Sequence, residues 1–572
     1  MTGENNFRKW APFLAIVGLG LVAFHNTFQI PFVLDDVRSI PENPRIRSLW
    51  PLSDVLLGTS RPLVQLSLAL NYAIGGESVV GYHIFNLTIH LLTALTLFGL
   101  LRRLWPERAG LALAVALLWE VHPLVTQPVN YVIQRGELLM SLFLLLMLYG
   151  VARRWTALAV GACALGMLCK PIMAIAPLVA LLMDVTFFGR SWRERRGLYL
   201  GLAATWLILP VVLANGPADW KGSAGIGQVA ITPLEYARTQ AKVVTHYLRL
   251  AVWPVGLCFD YRWPVVTDFR AVIPALSVVS VGLGWTIWAL VRRPNLGFWG
   301  AWFFILLAPT SSFIPVQDVA VEHRMYLALV ALVALAALGV DRGLRRAPHL
   351  AVLLTVIVAI GFTGLTIRRN LDYRTAESLW RDTVAQSPRN ARALTNLGNA
   401  VGEDSTRLAE SIKFYQEALR HDPAYSLAHY NWGLALASQG DYRGAVQQYE
   451  MALQLKPTDH TSRYNLGMAF ARQELYAEAS QQFAEILKHQ PDNVEAQYNL
   501  AVALEKQGQI AASIAAYQTT LRLDPRYAKA HYFLALALAR AGRAPEARQH
   551  FETAAKLSPA FAARRADFEA AF

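Results

Sequence analysis

The chain has 572 residues, enough for more than one domain. Hydrophobic residues make up 54% and charged ones only 16%, against roughly 25% charged in soluble proteins. That balance excludes a wholly water-soluble protein. The formal net charge of +13 would suggest nucleic acid as a partner for a soluble protein, but here the Arg residues cluster between apolar runs, where they set topology; no nucleic-acid partner is implied.

In chain order, Arg8-Lys9 precedes the first apolar run and no small-residue cleavage site follows, so an uncleaved membrane helix is expected. Runs long enough to span lie at 10–28, 82–101, 110–128, 137–152, 156–174, 172–188, 198–214, 271–291, 298–312, 325–341 and 350–367. The third, fourth and ninth are short, as re-entrant or tilted segments are. Arg102-Arg103, Arg153-Arg154, Arg190 to Arg196, Arg292-Arg293 and Arg342 to Arg346 mark five basic loops. Placing all five inside gives about eleven spans and puts the C-terminal part outside. Within Glu235–Leu257, Arg238, Lys242, His246 and Arg249 recur on one side, which predicts an amphipathic helix on the outer surface. Cys163, Cys169 and Cys258 have neither zinc-site nor disulfide-framework spacing.

From about residue 377 the sequence repeats. Pro423, Pro457, Pro491, Pro525 and Pro559 are 34 apart, preceded by Pro388. Gly433, Gly467, Ala501 and Ala535 share the period, as do Tyr449, Phe483, Tyr517 and Phe551. This is the tetratricopeptide signature. Small residues permit close helix crossing, the aromatic packs between repeats, and Pro follows the second helix. One extra residue falls near Glu403–Ser405, and a capping helix is expected after Pro559. The expected architecture is all-α: a multispan membrane domain over 1–370, then a solenoid of about five repeats over 371–572.

The noteworthy polar residues lie in the outward loops and at their helix ends. Asp35-Asp36 follows the first span; the pair could bind a divalent metal, cap a helix or supply a general base. His83, Asn86 and His90 share one face of the second span. His122-Pro123, Arg135, Lys170 and Glu322 to Tyr326 complete the set. Ionisable groups at membrane depth are functional candidates. A carboxylate can deprotonate a hydroxyl that attacks a sugar carbon, while Arg and Lys hold a phosphate leaving group.

Phe32-Val-Leu-Asp-Asp36, Arg61-Pro62-Leu63, Leu70 to Gly76, Tyr82 to Asn86 with His90, Val121-His-Pro123, Arg135, Lys170 and Glu322 to Tyr326 occur in one order ahead of the repeats. Over essentially the whole chain this resembles the transmembrane and tetratricopeptide-repeat O-mannosyltransferases, of the GT-C glycosyltransferase class. The resemblance implies transfer of a sugar from a polyprenyl-phosphate donor to protein Ser/Thr hydroxyls. Asp35 and Asp36 would be the catalytic pair, either of them the base and Asp35 the favoured one, with Asp36 then supporting it or positioning the acceptor; Arg135, Lys170 and Arg324 would contact the donor phosphate; His83, His122 and Glu322 would orient. The animal pattern Glu-Arg-x-x-Tyr reads Glu322-His-Arg-Met-Tyr326 here, a shift of about 100° on an α-helix. Such departures imply a bacterial relative in the inner membrane with a periplasmic repeat array, the alternative being the endoplasmic reticulum membrane and a lumenal array. The sugar and carrier of such a relative can differ from mannose and dolichol.

Asn396, Asn431, Asn465 and Asn499 recur at one position of successive first helices, beside Tyr430, Tyr464, Tyr498 and Tyr532, until Phe533 ends the series. The Asn series resembles the ladder of O-linked N-acetylglucosamine transferase, which implies that the groove holds an acceptor polypeptide by its backbone. Generic repeats also favour Asn there. An oligosaccharide ligase, a lipid or glycan glycosyltransferase and a non-enzymatic membrane scaffold are the competing functions.

Overall fold

A computed structural model describes residues 2–216 and 231–570, with side chains from Trp10 onward. Part of the stretch between the seventh and eighth predicted runs and the side chains of Arg8 and Lys9 therefore lie outside the described residues. The described chain contains helices and no strand, and its contacts divide it into two units, Met1–Ser387 and Pro388–Phe572.

In the first unit seven described helices are long and apolar enough to cross a membrane. They become eight if Ala109–Glu120 and Pro123–Asn130, bent by 57°, form one broken span. Three shorter apolar helices, Trp10–Ala23, Thr156–Met167 and Pro294–Leu307, fall on the first, fifth and ninth predicted runs. The bend has a local cause. Pro123 lacks the N–H needed to continue the ladder, and the His122 ring accepts the Leu124 N–H at 3.2 Å. The segment Val132–Arg153 is central, with 83% of its apolar window buried, against 17% for Arg270–Arg292 and for Pro348–Asp372. It begins five residues before the predicted run, because Arg135 interrupts the hydropathy yet is itself buried.

The helix Pro233–Val252 is not among the spanning helices. Thr232 and Glu235 close it with a reciprocal capping box. Its buried side braces the loop before Glu322: the Tyr236 hydroxyl donates to Thr310 O, Gln240 Nε2 to Val319 O, and the Tyr247 hydroxyl to Val321 O. The helix Ala376–Gln386, which the periodicity counts with the repeats, lies in the first unit. There the Trp380 ring packs 5.5 Å from that of Phe259, and Arg369 bridges to Asp382.

The second unit holds five helix hairpins, from Ala391–Gly402 with Leu408–His421 to Ala528–Arg540 with Ala544–Leu557, followed by short terminal helices. A 3-10 turn at Ser405–Arg407, capped by Asp404, absorbs the extra residue of the first repeat. Each repeating aromatic lies against the first helix of its own hairpin and shares a core cluster with residues of the next repeat, Tyr449 with Leu466 and Phe483 with Ala496. A Cβ on Gly433 would lie 2.6 Å from the Tyr449 ring, and one on Gly467 would lie 2.9 Å from Phe483. The small residue is there to let the ring of the following helix lie against the backbone.

Candidate functional site

Asp35 and Asp36 open a short helix, Asp35–Ser39, and their environments differ. Asp36 is fully buried. Its Oδ1 accepts the Ile133 N–H at 2.7 Å and its Oδ2 the Val33 N–H at 3.3 Å. Burial pushes the Asp36 carboxyl up to about 7, against the pull of backbone donors at Ile133, Val33 and Val132. Asp35 is exposed, and its backbone N–H donates to the Tyr131 hydroxyl at 3.1 Å. Leu34, directly before it, has φ 52°, a strained conformation for a branched side chain. Asp36 thus ties the segment to the start of the central span and leaves Asp35 as the accessible carboxylate. Each Asp36 oxygen thus already accepts one backbone N–H. Among the described residues no three His, Cys, Asp or Glu side chains are grouped to hold a metal ion.

Cations from separate segments act on one another, and one of them, Arg61, on Asp35. Arg61, which precedes the helix Pro62–Gly75, is close enough to Glu137, Asp35 and Tyr131 for their charges to act on it. Burial nevertheless holds its guanidinium below the usual range. The guanidinium has no hydrogen bond or ion pair among the described residues, although the Arg61 backbone N–H is held by Thr59. Lys170 forms an ion pair with Glu137. Burial lowers the Lys170 ammonium, Glu137 opposes that, and Arg61 and Arg324 add to the lowering. His323 lies within reach of the charges of Lys170, Arg324 and Arg61. Its backbone N–H and ring Nδ1 contact Gln127 Oε1 at 2.9 and 3.2 Å.

The remaining predicted residues divide between support and site. Arg135 is not available to a donor phosphate. It is fully buried, with Nε on Asn86 Oδ1 at 2.8 Å, Nη1 on Ser67 O and Nη2 on Tyr82 O, both at 3.1 Å, and its guanidinium stacks on Phe85. A residue at the mouth of a span reads as a site cation in sequence; here it joins three helices. Arg324 remains half-buried near Lys170, but its guanidinium is held by carbonyls of Thr310, Val319 and Asp318. It shapes the loop before the tenth predicted span. His83 donates from Nε2 to Ile30 O, 2.9 Å away, and so anchors the segment leading to Asp35. His122 bonds Ala251 O through Nε2. Buried Glu322 accepts the Cys258 N–H at 2.6 Å and the Tyr261 hydroxyl at 2.8 Å.

Arg61, Glu137, Tyr131 and His323 are not among the site residues expected from sequence. Arg61 carried a signal, an Arg-Pro at the start of an apolar helix inside an outward loop. His323 stands where the animal pattern has Arg. It enters the cluster because Glu322–Arg324 is a 3-10 turn, so rotation on a regular α-helix does not describe this segment.

An apolar groove of about 890 Å³ runs between the helices Ala109–Glu120, Met325–Gly343 and Pro348–Asp372. Leu117, Ala336, Ala337 and Val352 are among its walls; His122 and Ala251 stand near one end, Asp341 and Arg345 near the other. In the repeats, Asn465 Nδ2 donates to the Tyr430 hydroxyl at 3.2 Å and Asn499 Nδ2 to the Tyr464 hydroxyl at 2.8 Å. Each links a repeat to the one before it. Asn396 is half-buried and Asn431 buried.

Tetratricopeptide-repeat family profiles match residues 464–518, 503–560 and 433–474. The second unit is a tetratricopeptide-repeat array. Among curated proteins, the chain is 26% identical over 442 residues to Protein O-mannosyl-transferase F38B6.6 of Caenorhabditis elegans, covering 72% of this chain and 63% of that protein. It is 25% identical over 540 residues to Protein O-mannosyl-transferase Tmtc3 of Drosophila melanogaster, covering 77% and 58%. Against human Protein O-mannosyl-transferase TMTC4 it is 24% identical over 489 residues, covering 71% and 66%. The chain is a relative of these O-mannosyl-transferases, and spans about 60% of the length of the first two. Solved structures similar to the repeats include YrrB, a TPR protein with an unusual peptide-binding site, at TM-score 0.30 and 20% identity, covering 32% of this chain and 94% of that one. A MamA double mutant matches at TM-score 0.28 and 26% identity, covering 29% and 94%.

Proposed function

We propose that the chain is a membrane glycosyltransferase that moves a sugar, mannose by the names of its relatives, from a polyprenyl-phosphate donor to a protein Ser or Thr hydroxyl on the outer side of the membrane. The reading rests on one observation above the rest: an exposed carboxylate, Asp35, whose charge reaches a guanidinium, Arg61, with no bonded partner among the described residues. Asp35 takes the hydroxyl proton as the acceptor oxygen bonds to the sugar's C1. The bond from C1 to the phosphate oxygen breaks and its electrons stay on the phosphate. Arg61 offers that oxygen a forked donor, and Lys170 and His323 add nearby donors. Asp36 and Tyr131 hold Asp35 in place.

The apolar groove fits the carrier's prenyl chain, because its walls are aliphatic and belong to spanning helices. The repeat array would bring acceptor or partner to the membrane and raise its local concentration. The bacterial inner membrane with a periplasmic array remains the favoured setting. Transfer of labelled mannose from a polyprenyl-phosphate donor by the purified full chain tests the reading. Wild type transfers label to protein, Asp35→Asn does not, and Arg61→Ala requires more donor. Equal transfer by all three would remove Asp35 and Arg61 from the chemistry.

A further inference from the structure

A second charged cavity lies in the first unit, formed by the loops that the arginine distribution places inside. It has a volume of about 530 Å³ and is lined by Arg154, Thr156, Arg190, Glu194, Arg195, Arg196, Gly197 and Leu198. The segments 153–156 and 184–198 carry six arginines against two carboxylates, Asp184 and Glu194. Those six are not equivalent. Arg190 and Arg195 both pair with buried Asp184, at 3.4 and 2.6 Å, and Arg195 also donates to Val151 O. These two form the floor. Arg154 and Arg196 are exposed and line the same cavity, and neither has an ion pair or hydrogen bond from its guanidinium among the described residues. Glu194 is the one acid in the lining, and its Oε1 accepts the Ser191 hydroxyl.

The surroundings are those of a bilayer boundary. Trp155 and Trp192 are exposed, each beside an arginine, Arg153 and Arg193. Leu200 and Val185 are exposed on adjoining helices. Tryptophans of this kind settle at the headgroup level of a membrane. Topology alone asks for arginines in a loop; it does not ask for two of them, 42 positions apart, to meet over a floor whose two arginines already share a buried aspartate.

We infer that this cavity binds the anionic headgroup of a membrane phospholipid, with Arg154 and Arg196 as its donors, Trp155 and Trp192 at its rim, and the acyl chains beside Leu200 and Val185. Basic pockets between spanning helices on the inner face suit such headgroups. The site is separate from the Asp35 cluster and does not depend on the proposed transferase activity.

Native mass spectrometry of the full chain in detergent tests it, with phosphatidylglycerol, phosphatidylcholine of the same chains, and inorganic phosphate as probes. The expected result is one retained phosphatidylglycerol at concentrations where phosphatidylcholine leaves none. Arg154→Ala with Arg196→Ala should weaken it about tenfold or more. Arg102→Ala with Arg103→Ala, a basic pair outside the cavity, should leave it unchanged. Equal weakening by both pairs would reduce the effect to diffuse surface charge and overturn the inference. Displacement of the lipid by equimolar phosphate would overturn it too, as would equal retention of phosphatidylcholine. The melting temperature in lipid-free detergent reports misfolding: a fall in the cavity pair alone calls for Arg154→Gln with Arg196→Gln, and unchanged lipid affinity there sinks the proposal.

Discussion

At the residue scale, the adjacent carboxylates separate by burial, and that separation sets the proposed roles. Asp35→Asn keeps the shape of an exposed side chain and removes only its basicity, so transfer should fall by a factor of about 10² or more, the usual contribution of a general base. Thermal unfolding should be unchanged, and the labelled-mannose assay together with a melting scan checks both halves. Asp36 should behave differently with pH. Its folded carboxyl is raised to about 7 by burial, so the folded state holds its proton more tightly than the unfolded chain. Stability is therefore highest below the ordinary carboxylate range, declines as pH rises toward about 7, and levels above that. Asp36→Asn should flatten this decline. Hydrogen exchange of the Ile133 amide at pH 5 and pH 8 reads it directly, and an identical pH response in the variant would contradict it.

Arg61 and Arg135 offer a second contrast. Arg61→Ala should raise the KM for donor with little change in melting temperature. Arg135→Ala would leave the buried Asn86 Oδ1 without its donor and remove the second donors on the Ser67 and Tyr82 carbonyls, the orphaned oxygen alone costing about 1–3 kcal/mol, and should therefore be seen first as a fall in stability. Measuring KM and melting temperature for both variants separates a ligand contact from a buried brace.

At the element scale, much was legible because the relevant patterns are long. The spans follow from runs of apolar residues, and the repeats from a 34-residue period that survives substitution of Gly by Ala. The amphipathic Pro233–Val252 helix was visible as a recurrence of cations, but its load was not. Its Tyr236, Gln240 and Tyr247 reach the loop at 310–321, which is far away in sequence. The site was legible as a set of polar residues on one side and illegible in its inner assignments. Arg135 and Arg61 have similar sequence surroundings; only the positions of Asn86, Ser67 and Tyr82 show which guanidinium is already bonded. The Asn series shows the same limit. In sequence it suggests a peptide ladder, whereas Asn465 and Asn499 spend an amide N–H₂ on the Tyr of the preceding repeat. Tyr464→Phe should remove one such link and lower the stability of the array by about 1 kcal/mol. A denaturant melt of the full chain followed at the repeats measures this. If the carbonyl of Asn499 also holds acceptor backbone, Asn499→Ala should weaken peptide capture more than Tyr464→Phe does.

At the scale of the whole molecule, the proposed chemistry requires two very different environments in one unit: a charged cluster for phosphate and an aliphatic groove for the chain attached to it. Ala336 and Ala337 line the groove, so Ala337→Trp should fill part of it. The expected effect is selective. Transfer from a long-chain prenyl phosphate sugar should fall several-fold, while a short-chain, water-soluble analogue should be used as well as before. An equal fall for both donors would place the carrier elsewhere.

The central claim is that Asp35 carries out sugar transfer to protein. Glycopeptide mass spectrometry of envelope or lumenal proteins tests it most directly, in cells carrying the wild-type chain, the Asp35→Asn variant at equal abundance, or no copy. A Ser- or Thr-linked hexose present with wild type and lost equally from the other two is the predicted result. Modification that persists unchanged in the Asp35→Asn cells but disappears without the chain would contradict the role of Asp35, and modification unchanged in both would contradict the transferase reading itself.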